Sequence, residues 1–491
     1  MWLVLLLAPL ALVVVKLTSL SLFWTRRGVP HEPFVRYLYR MLWLFNTKVI
    51  HDVVRADVQK YGKLYGTYRG LRPSLVVADA DVAKDVLIKQ FGNFFHRTFE
   101  FTTGDPLWDN LLTHLPYEQW KSVRTSMGYA FTSLKMRGII QKLDQVSKRL
   151  VVKLEAISRS GKHEFEPRKI IYSYAMDSMA VCSFGIDVNS IENPDNNDFV
   201  RYGESLFSPG LFTILFWLCP SLIKYIPLTE FPPRKVTKFF GDIARRILQE
   251  KKKTLDEVVK NGTADVLDLQ LLGQRDDPQN HITDEVLASQ ACMFFLAGFD
   301  TSATTLSLCI YFLAVNADVQ QRVYEQIRSV MGGRTNVEYS DVQKMKLLEA
   351  SLLESLRIVP IVFAVDRVAK HDTEVAGIPI KKGTVVEFPL PSMQHDPSYF
   401  PEPEKFIPER FLKNGDVSSE TAAFLGFGDG PRGCIGRRLA TVNMQVMLAN
   451  ILLKFRLERC TSTPVPLELA TGFRFNNIFR KPLVFALTSR T

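Results

Sequence analysis

The sequence predicts a mainly α-helical protein with small β-sheets, folded as a single large domain behind one amino-terminal transmembrane helix. Three observations lead to this prediction. An apolar run occupies residues 2–24. Apolar residues recur with helical period through most of the remaining chain. Only two short stretches show strand-like patterns around a glycine turn. We therefore divide the chain into a membrane segment over residues 1–25 and a body over residues 26–491.

The composition excludes several classes of protein. Of the 491 residues, 46% are hydrophobic and 23% are charged, which is close to the globular average and excludes disordered tails, collagens and coiled-coil rods. Six cysteines without a C-x-x-C pair exclude a disulfide scaffold and a zinc ribbon. The net charge of +10 would suit nucleic acid, anionic lipid or an acidic protein. No nucleic-acid motif accompanies that charge, so we expect no nucleic-acid partner.

The amino-terminal apolar run is long enough to span a bilayer and carries one charge, Lys16. Arg26 and Arg27 follow it directly, so the positive-inside rule predicts that the body faces the cytosol. A cleaved secretory signal is the alternative. Such a signal would place its positive charge before the apolar core and an A-x-A site after it. A glycosylation sequon at 261–263 would be used only if the body lay in the lumen.

A second apolar segment covers residues 211–225 and is interrupted by Pro220. It is too short to span a membrane. Two interpretations stay open, a surface that dips into the membrane interface and ordinary core packing.

Two β regions and several helices follow from the pattern of the body. Strands are predicted at Leu64–Arg69 and 74–78, and a second hairpin-like pair at Ile378–Ile380 and 384–388. Amphipathic helices are predicted at 119–158 and 236–260, with polar loops at 186–198 and 273–282.

The longest predicted helix begins after Thr283, a suitable N-cap, and runs to about Asn316. Residues 291–305 are apolar nearly all round, so this helix should cross the centre of the protein. A second membrane span is the alternative. Asp300 and the polar run at 301–305 argue against it, because polar groups at mid-span are costly in lipid.

The middle of this helix contains the first candidate functional residues, Ala297, Gly298, Asp300 and Thr301. Asp300 supplies a carboxyl and Thr301 a hydroxyl. Both lie within one helical turn of Gly298, which has no side chain. Gly298 would let a flat group approach the backbone, or let the helix open locally. The alternative is a glycine that serves helix packing, with an aspartate satisfied by hydrogen bonds.

Glu354 and Arg357 form the second candidate group, at i,i+3 on one helical face within 347–358. Apolar neighbours leave little room for solvent there, and a buried ion pair needs further hydrogen bonds. Arg410 is a candidate third member. Taken alone, the E-x-x-R pattern is weak.

The third candidate is Cys434, in the glycine-rich stretch 427–436 before an apolar helix predicted near 435–454. A dinucleotide-binding interpretation of its glycines is rejected, because no strand precedes them and Pro431 interrupts the turn. Backbone N–H groups and the helix dipole should lower the pKa of this thiol. A thiolate is a nucleophile or a metal ligand, and no histidine base stands near in sequence. A ligand to haem iron fits better, with an inert buried cysteine as the alternative.

Together these segments resemble the cytochrome P-450 family of haem-thiolate monooxygenases, closest to the animal microsomal drug-metabolising (family 3-like) group. Residues 427–436 match F-x-x-G-x-R-x-C-x-G, 354–357 match E-x-x-R, and 297–301 match A/G-G-x-D/E-T. Trp120 and Arg124 match W-x-x-x-R. The order and spacing fit throughout residues 1–490. Two departures are a shortened proline-rich hinge at 28–33 and altered residues after Arg357.

The resemblance implies a role for each matched residue. Cys434 would be the axial thiolate, and Asp300 and Thr301 would relay protons to oxygen. The implied haem-binding residues are Arg97, Trp120, Arg124, Ala297, Gly298, Arg367, Phe427, Arg432, Cys434 and Gly436. The implied structural triad is Glu354, Arg357 and Arg410. The candidate substrate-binding residues are Thr113, Met293, Leu296, Ile361, Phe363 and Phe475.

The implied activity is insertion of one atom of O₂ into a lipophilic substrate, such as a xenobiotic, a steroid or a fatty acid. It would use haem b and electrons from NADPH through a membrane-bound flavoprotein reductase, with cytochrome b5 as a further partner. The reductase would dock on Lys121, Arg437 and Arg438. The protein would lie in the endoplasmic reticulum membrane, in contact with lipid, as a single-pass protein facing the cytosol.

Two other functions stay open. Some members of this fold rearrange or dehydrate peroxides without O₂ or a reductase. The presence of Asp300 next to Thr301 argues against that activity, because peroxide rearrangement does not need a proton relay for O–O cleavage. A non-catalytic haem-binding protein is the other alternative, and the complete set of catalytic residues argues against it.

Overall fold

The computed structural model describes residues 14–98, 103–128, 133–159, 164–206, 233–260, 266–277, 281–418, 423–472 and 478–490. Several predictions lie wholly or partly outside these ranges. They are the first 13 residues of the anchor, residues 129–132 of the helix predicted at 119–158, the apolar segment 211–225, the sequon at 261–263, residues 278–280 of the loop predicted at 273–282, and Phe475.

Helices dominate the described residues, as predicted. The longer ones are α1 (Ile50–Tyr61), α2 (Tyr117–Gly128), α3 (Ser133–Arg159), α4 (Arg168–Ser183), α5 (Asp198–Leu206), α6 (Arg234–Lys260), α7 (Val266–Arg275), α8 (Asp284–Val315), α9 (Ala317–Met331), α10 (Lys346–Ile358) and α11 (Arg437–Lys454). Short helical turns are Thr25–Arg27, Phe34–Tyr39, Arg40–Leu44, Phe45–Thr47, Ala80–Lys84, Asp85–Lys89, Pro106–Asp109, Tyr339–Val342, Leu390–Met393 and Pro408–Phe411.

The strands form four small sheets. They are β1 (Leu64–Arg69), β2 (Arg72–Val77), β3 (Glu164–Phe165), β4 (Ala364–Val368), β5 (Thr373–Val375), β6 (Ile378–Ile380), β7 (Val385–Pro389), β8 (Leu412–Lys413), β9 (Asp416–Val417), β10 (Phe455–Arg459) and β11 (Phe485–Ser489). The strand orders are β1-β2-β7-β4, β10-β11-β3, β5-β6 and β8-β9. Mainly α with small sheets is therefore the observed fold class.

One predicted strand pair is wrong. β6 and β7 do not form a hairpin, because β6 pairs with β5 while β7 pairs in parallel with β2 and antiparallel with β4. All five residues of β7 are buried, so this strand is better satisfied in the interior of the larger sheet than at an exposed hairpin.

Helix α8 is the central element. Thr283 caps it by accepting a hydrogen bond from the Val286 N–H at 3.3 Å, as the sequence predicted. Among the described residues it is the one helix with the length and hydropathy of a membrane span, at a mean hydropathy of 1.4. However, 72% of that apolar window is buried inside the protein. It packs against α4, α6 and α10, so its apolar surface belongs to the core.

The amino-terminal segment is attached to the body at Trp24. Residues 14–21 are helical, and Trp24 is fully buried. The indole N–H of Trp24 donates to the Thr67 carbonyl at 2.8 Å. A Cβ on Gly66 would lie 2.3 Å from the indole ring, so only glycine leaves room for it. The segment therefore rests in a fitted groove on β1.

A buried ion pair on α10 connects, through further hydrogen bonds, to the segment that precedes the cysteine loop. The Arg357 guanidinium donates to Glu354 at 2.7 Å, and neither side chain is exposed. The Arg410 Nε donates to the same carboxylate at 3.2 Å, so the three predicted residues do meet. Arg357 also donates to the Gln394 carbonyl at 2.8 Å. Gln394 in turn accepts from the Leu425 N–H at 3.1 Å. The pair thereby reaches the cysteine loop.

Replacing Glu354 with Gln should destabilise the protein by about 3–5 kcal/mol, because Arg357 would keep a buried charge without a counter-charge. Urea unfolding followed by circular dichroism measures the change. Glu250→Gln is the matched control, since Glu250 pairs with Lys253 at the same i,i+3 spacing but both side chains are about two-thirds exposed. That control should cost less than about 0.5 kcal/mol. Equal effects of the two substitutions would contradict the importance of the buried pair.

Candidate active site

Two accessible side chains lie on one face of the middle of α8. Ala297 and Thr301 are exposed, although Leu296, Phe299 and Asp300 beside them are buried. Residues four apart lie on one helical face. An exposed stripe on a helix that is otherwise enclosed by protein indicates an internal space along that face.

The Cys434 side chain is also accessible to solvent, although protein atoms surround most of it. The sulfur is therefore accessible within a largely enclosed position. The Leu112 peptide connects this region to α8. Its N–H donates to the Gln290 side chain at 2.9 Å, and its carbonyl accepts from Arg432 at 3.0 Å. One peptide thus joins the central helix to the residues before the cysteine.

Backbone conformation fixes the loop that carries Cys434. The Cys434 N–H donates to the Phe427 carbonyl at 2.8 Å, which closes the loop just before α11 begins. Gly430 has a φ of +67°, and a Cβ there would lie 2.1 Å from the Leu87 carbonyl oxygen. A side chain at 430 would therefore displace the loop.

The predicted pKa shift of Cys434 is wrong in direction. Burial raises the pKa of the thiol above its ordinary value. The Gly436 N–H, and the charges of Arg124, Arg97 and Arg437, lower the pKa but do not outweigh burial. The helix terminus and its basic neighbours are present as the sequence indicated, and desolvation is the larger effect.

Three predicted arginines converge on the cysteine loop. Arg97 donates to the Arg432 carbonyl at 2.6 Å, and Arg124 donates to the Gly433 carbonyl at 2.8 Å. The Arg432 guanidinium lies over the Trp120 ring, 4.7 Å from its centroid. We call Arg97, Arg124 and Arg432 the arginine cluster.

Arg367 is buried on β4 and donates to the Asp366 carbonyl at 2.7 Å. Its strand neighbour Val368 bridges to His96, next to Arg97. Arg367 therefore lies on a strand adjoining the arginine cluster.

The residues present fit a haem. Trp120 is buried, and among the described residues its indole N–H has no hydrogen-bond partner. A buried donor of this kind needs an acceptor. With the arginine cluster it suits the carboxylates of a porphyrin, because guanidinium pairs with carboxylate in a bidentate manner. No group of three His, Cys, Asp or Glu side chains that could hold a metal occurs among the described residues. A single sulfur ligand suits an iron held by a macrocycle.

The side chains of Asp300 and Thr301 have different hydrogen-bond partners. The Thr301 hydroxyl donates to the Ala297 carbonyl at 2.6 Å. The Asp300 carboxylate is buried and accepts a hydrogen bond from the Tyr172 hydroxyl of α4 at 2.8 Å. Burial raises the pKa of Asp300 to about 7. The two predicted relay residues are therefore not in contact, and Asp300 is a carboxyl that titrates near neutral pH.

Gly298 serves helix packing. A Cβ there would lie 2.3 Å from the Met179 sulfur on α4, so the missing side chain makes room for that neighbouring helix. This contact supports the packing alternative, and the predicted approach of a flat group at Gly298 stays a prediction.

The predicted substrate residues within the described part of the chain have different neighbours. Leu296 lies against Trp108 and Phe240. Phe363 packs on Phe45, with ring centroids 6.0 Å apart. Ile361 packs against a separate cluster that includes Leu353 and Phe400. Thr113 hydrogen bonds with His114 at 2.9 Å, and Met293 is partly buried against the main core.

Three functional candidates were missed from sequence: Tyr172, Gln394 and His114. Tyr172 holds Asp300, and Gln394 connects the buried ion pair to the cysteine loop. Burial, together with the charges of Arg97 and Arg432, lowers the pKa of His114 to about 4, so this imidazole is neutral near pH 7. No motif includes these residues, so only spatial proximity identifies them.

The proposed docking residues differ in availability. Lys121 and Arg437 are exposed. Arg438 is partly buried, donates to the Tyr339 hydroxyl at 2.9 Å, and lies over that ring. The first two residues are therefore the accessible charges near the cysteine loop.

A haem-thiolate protein needs an accessible thiol with basic groups beside it, and this helical body provides both at Cys434 and the arginine cluster. The family model described as Cytochrome P450 matches residues 30–482. Cytochrome P450 3A31 of Mesocricetus auratus is 30% identical over 479 residues, covering 95% of this chain and 92% of the relative. Cytochrome P450 3A7 of Homo sapiens is 32% identical over 441 residues, covering 88% and 86%. The chain belongs to the cytochrome P450 family.

Family membership confirms the predicted activity and cofactors. The protein is a haem-thiolate monooxygenase that uses haem b, O₂ and electrons from NADPH. A reductase delivers those electrons, and the substrate is lipophilic. The single large domain and the mainly helical fold are confirmed in the same way.

Trp120→Phe should weaken haem retention by about tenfold, because the indole N–H is a buried donor for which the described residues provide no acceptor. Transfer of haem to an excess of apomyoglobin measures the loss. Trp43→Phe is the control, since Trp43 is 57% exposed. If both variants release haem at the wild-type rate, Trp120 does not contact the cofactor.

Proposed function

We propose that the Cys434 sulfur would hold the iron of a haem and that Thr301 would face the bound haem from α8. The accessible Cys434 sulfur carries this proposal, because among the thiols that the structure describes it is the one on which Arg97 and Arg124 act. The haem supplies activation of O₂, and thiolate ligation favours O–O cleavage. The remaining tasks fall to the protein: binding the carboxylates, orienting the substrate, excluding water and moving protons.

The proposed haem-binding residues would contact different parts of the haem. The arginine cluster and Arg367 would pair with the two propionates, and Trp120 would donate its free N–H to one of them. Phe427 fixes the cysteine loop through its carbonyl, and the Gly436 N–H lies near the sulfur. Ala297 would lie against the ring from α8, where its small side chain leaves room.

The substrate would bind above Ala297, on the same face of α8. We propose Met293 and Leu296 as contacts, together with Thr113 from the segment that precedes α2. Lipophilic xenobiotics, steroids and fatty acids suit such a surface. Ile361, Phe363 and Phe475 stay as candidates from the resemblance.

The proton relay is tested by Thr301→Val. This substitution keeps the shape and removes the hydroxyl, so product formed per NADPH should fall about tenfold or more while hydrogen peroxide rises. The measurement uses purified protein with flavoprotein reductase, NADPH and a panel of lipophilic substrates. Thr305→Val is the matched control, because the Thr305 hydroxyl donates to the Thr301 carbonyl at 2.7 Å and is largely buried. An unchanged product yield in Thr301→Val would refute the assigned role.

The reductase docks, we propose, on the exposed cations beside the cysteine loop, and cytochrome b5 uses the same face. Lys121→Glu and Arg437→Glu should each slow reductase-driven reduction severalfold, because a like charge replaces an attractive one in the encounter. Stopped-flow reduction measures this rate, and dithionite reduction should be unchanged. Lys253→Glu, at another exposed site, is the control. Equal rates for all three variants would exclude this docking face.

The chain is anchored, we propose, by residues 1–25 in the endoplasmic reticulum membrane, with residues 26–491 in the cytosol. Four large apolar side chains follow the anchor and are exposed by 51–78%: Val35, Tyr39, Leu42 and Trp43. Their spacing places them on one helical face. An apolar face of this kind beside a membrane anchor suits contact with lipid. The Trp24 groove would hold this face at a fixed orientation to the anchor.

Cytosolic orientation predicts that Asn261 carries no glycan when the full chain is made in the presence of microsomes. Gel mobility before and after glycosidase treatment measures this. A variant with a sequon added before residue 2 should be glycosylated, which shows that the assay reports the lumen. Glycosylation at Asn261 would reverse the proposed topology.

A further inference from the structure

Tyr172, which belongs to none of the motifs considered above, contacts the motif residue Asp300. The Tyr172 hydroxyl donates to Asp300 Oδ1 at 2.8 Å across 128 residues of sequence, and both side chains are buried. The Tyr172 ring packs edge-on against Phe299, with centroids 5.2 Å apart. This tyrosine is therefore held firmly against α8 at the position of the carboxyl.

The groups around this contact lead from Asp300 towards the surface. Two charged groups act on the carboxyl besides Tyr172: Arg168 on α4 and Glu204 on α5. The Arg168 guanidinium lies over the Tyr172 ring, 5.4 Å from its centroid. Arg168 and Glu204 are both partly exposed. The side of α4 and α5 is therefore the direction from which a proton would reach Asp300.

Geometry keeps Asp300 away from Thr301 in this arrangement. Neighbouring helical residues point about 100° apart, so side chains at i and i+1 do not face each other. Thr301 is exposed on the cavity side, whereas Asp300 is bound to α4. A proton on Asp300 therefore reaches Thr301 only when the carboxyl releases Tyr172.

We propose that Tyr172 is a positioning residue that holds Asp300 where it is loaded with a proton, and that release of this hydrogen bond delivers the proton to Thr301. The inference rests on the proposed role of Thr301. The proton passes from water near Arg168 and Glu204 to the Asp300 carboxylate. The carboxylic acid then turns to the Thr301 hydroxyl, which gives its own proton to the cavity as it accepts the new one. Asp300 returns to Tyr172 as a carboxylate, and no electrons are transferred.

The hydrogen bond from Tyr172 favours the carboxylate form and so lowers the pKa of Asp300 against the larger effect of burial. Its removal should raise the pKa above the value of about 7 in the wild type. Asp300 would then stay protonated to higher pH. Because only the protonated carboxyl can deliver a proton to Thr301, this delivery would stop at a higher pH than in the wild type.

The first test is an infrared pH titration of the Asp300 carboxyl in the full-length protein. Asp300→Asn assigns the band by its loss. Tyr172→Phe should move the midpoint up by about one pH unit, the size expected for a lost hydrogen bond to a charged group. Tyr174→Phe is the matched control. It removes a buried tyrosine hydroxyl from the same helix, but that hydroxyl donates to Asn443 at 2.7 Å and not to Asp300.

The second test measures product formed per NADPH against pH with reductase and a lipophilic substrate. In Tyr172→Phe the decline on the alkaline side should shift upward by the same amount, and Tyr174→Phe should follow the wild type. Should Tyr172→Phe unfold, a fluorinated tyrosine at position 172 keeps the ring and makes a more acidic donor. It should lower the midpoint instead.

Coincident infrared midpoints in the wild type and in both changes at position 172 would overturn the inference. A shifted midpoint with an unshifted pH profile would also overturn it, since Tyr172 would then hold Asp300 without a part in delivery. Failure of the proposed function gives a different result. The wild type itself would form no product with NADPH and reductase, whatever the infrared midpoints.

Discussion

The position of Cys434 depends on one buried interaction, the ion pair between Glu354 and Arg357. Two opposite charges out of water are costly unless further hydrogen bonds satisfy them. Here Arg357 donates to the Gln394 carbonyl, and the Gln394 side chain accepts from the Leu425 N–H. Two residues after Leu425, the Phe427 carbonyl accepts a hydrogen bond from the Cys434 N–H. A pair remote from the cavity thus holds the backbone that presents the sulfur.

The packing of α4 against α8 decides which polar groups face the cavity. Gly298 accommodates Met179, so the two helices approach closely at this point. That approach brings the Tyr172 hydroxyl to Asp300, whereas Thr301 stays exposed on another part of the helix surface. Burial of the carboxyl then raises its pKa to about 7, a value suited to a group that gains and loses a proton at neutral pH.

The sequence predicted what depends on local pattern and on family motifs: the central helix capped by Thr283, the buried Glu354–Arg357 pair and the fold class. The predictions from sequence were wrong where the outcome depends on tertiary contacts. The partner of β6 depends on which sheet buries β7. The direction of the Cys434 pKa shift depends on desolvation. Tyr172 lies far from Asp300 in sequence and follows no periodicity that would relate the two residues.

The central claim is that Cys434 is the sulfur ligand of a haem with an open opposite face. The reduced, carbon-monoxide-bound difference spectrum of the purified protein, recorded beside Cys434→Ala, tests it most directly. A strongly red-shifted Soret band in the wild type that is lost in the variant is the predicted result. A band typical of imidazole-ligated haem, or the same band in both proteins, would contradict the claim.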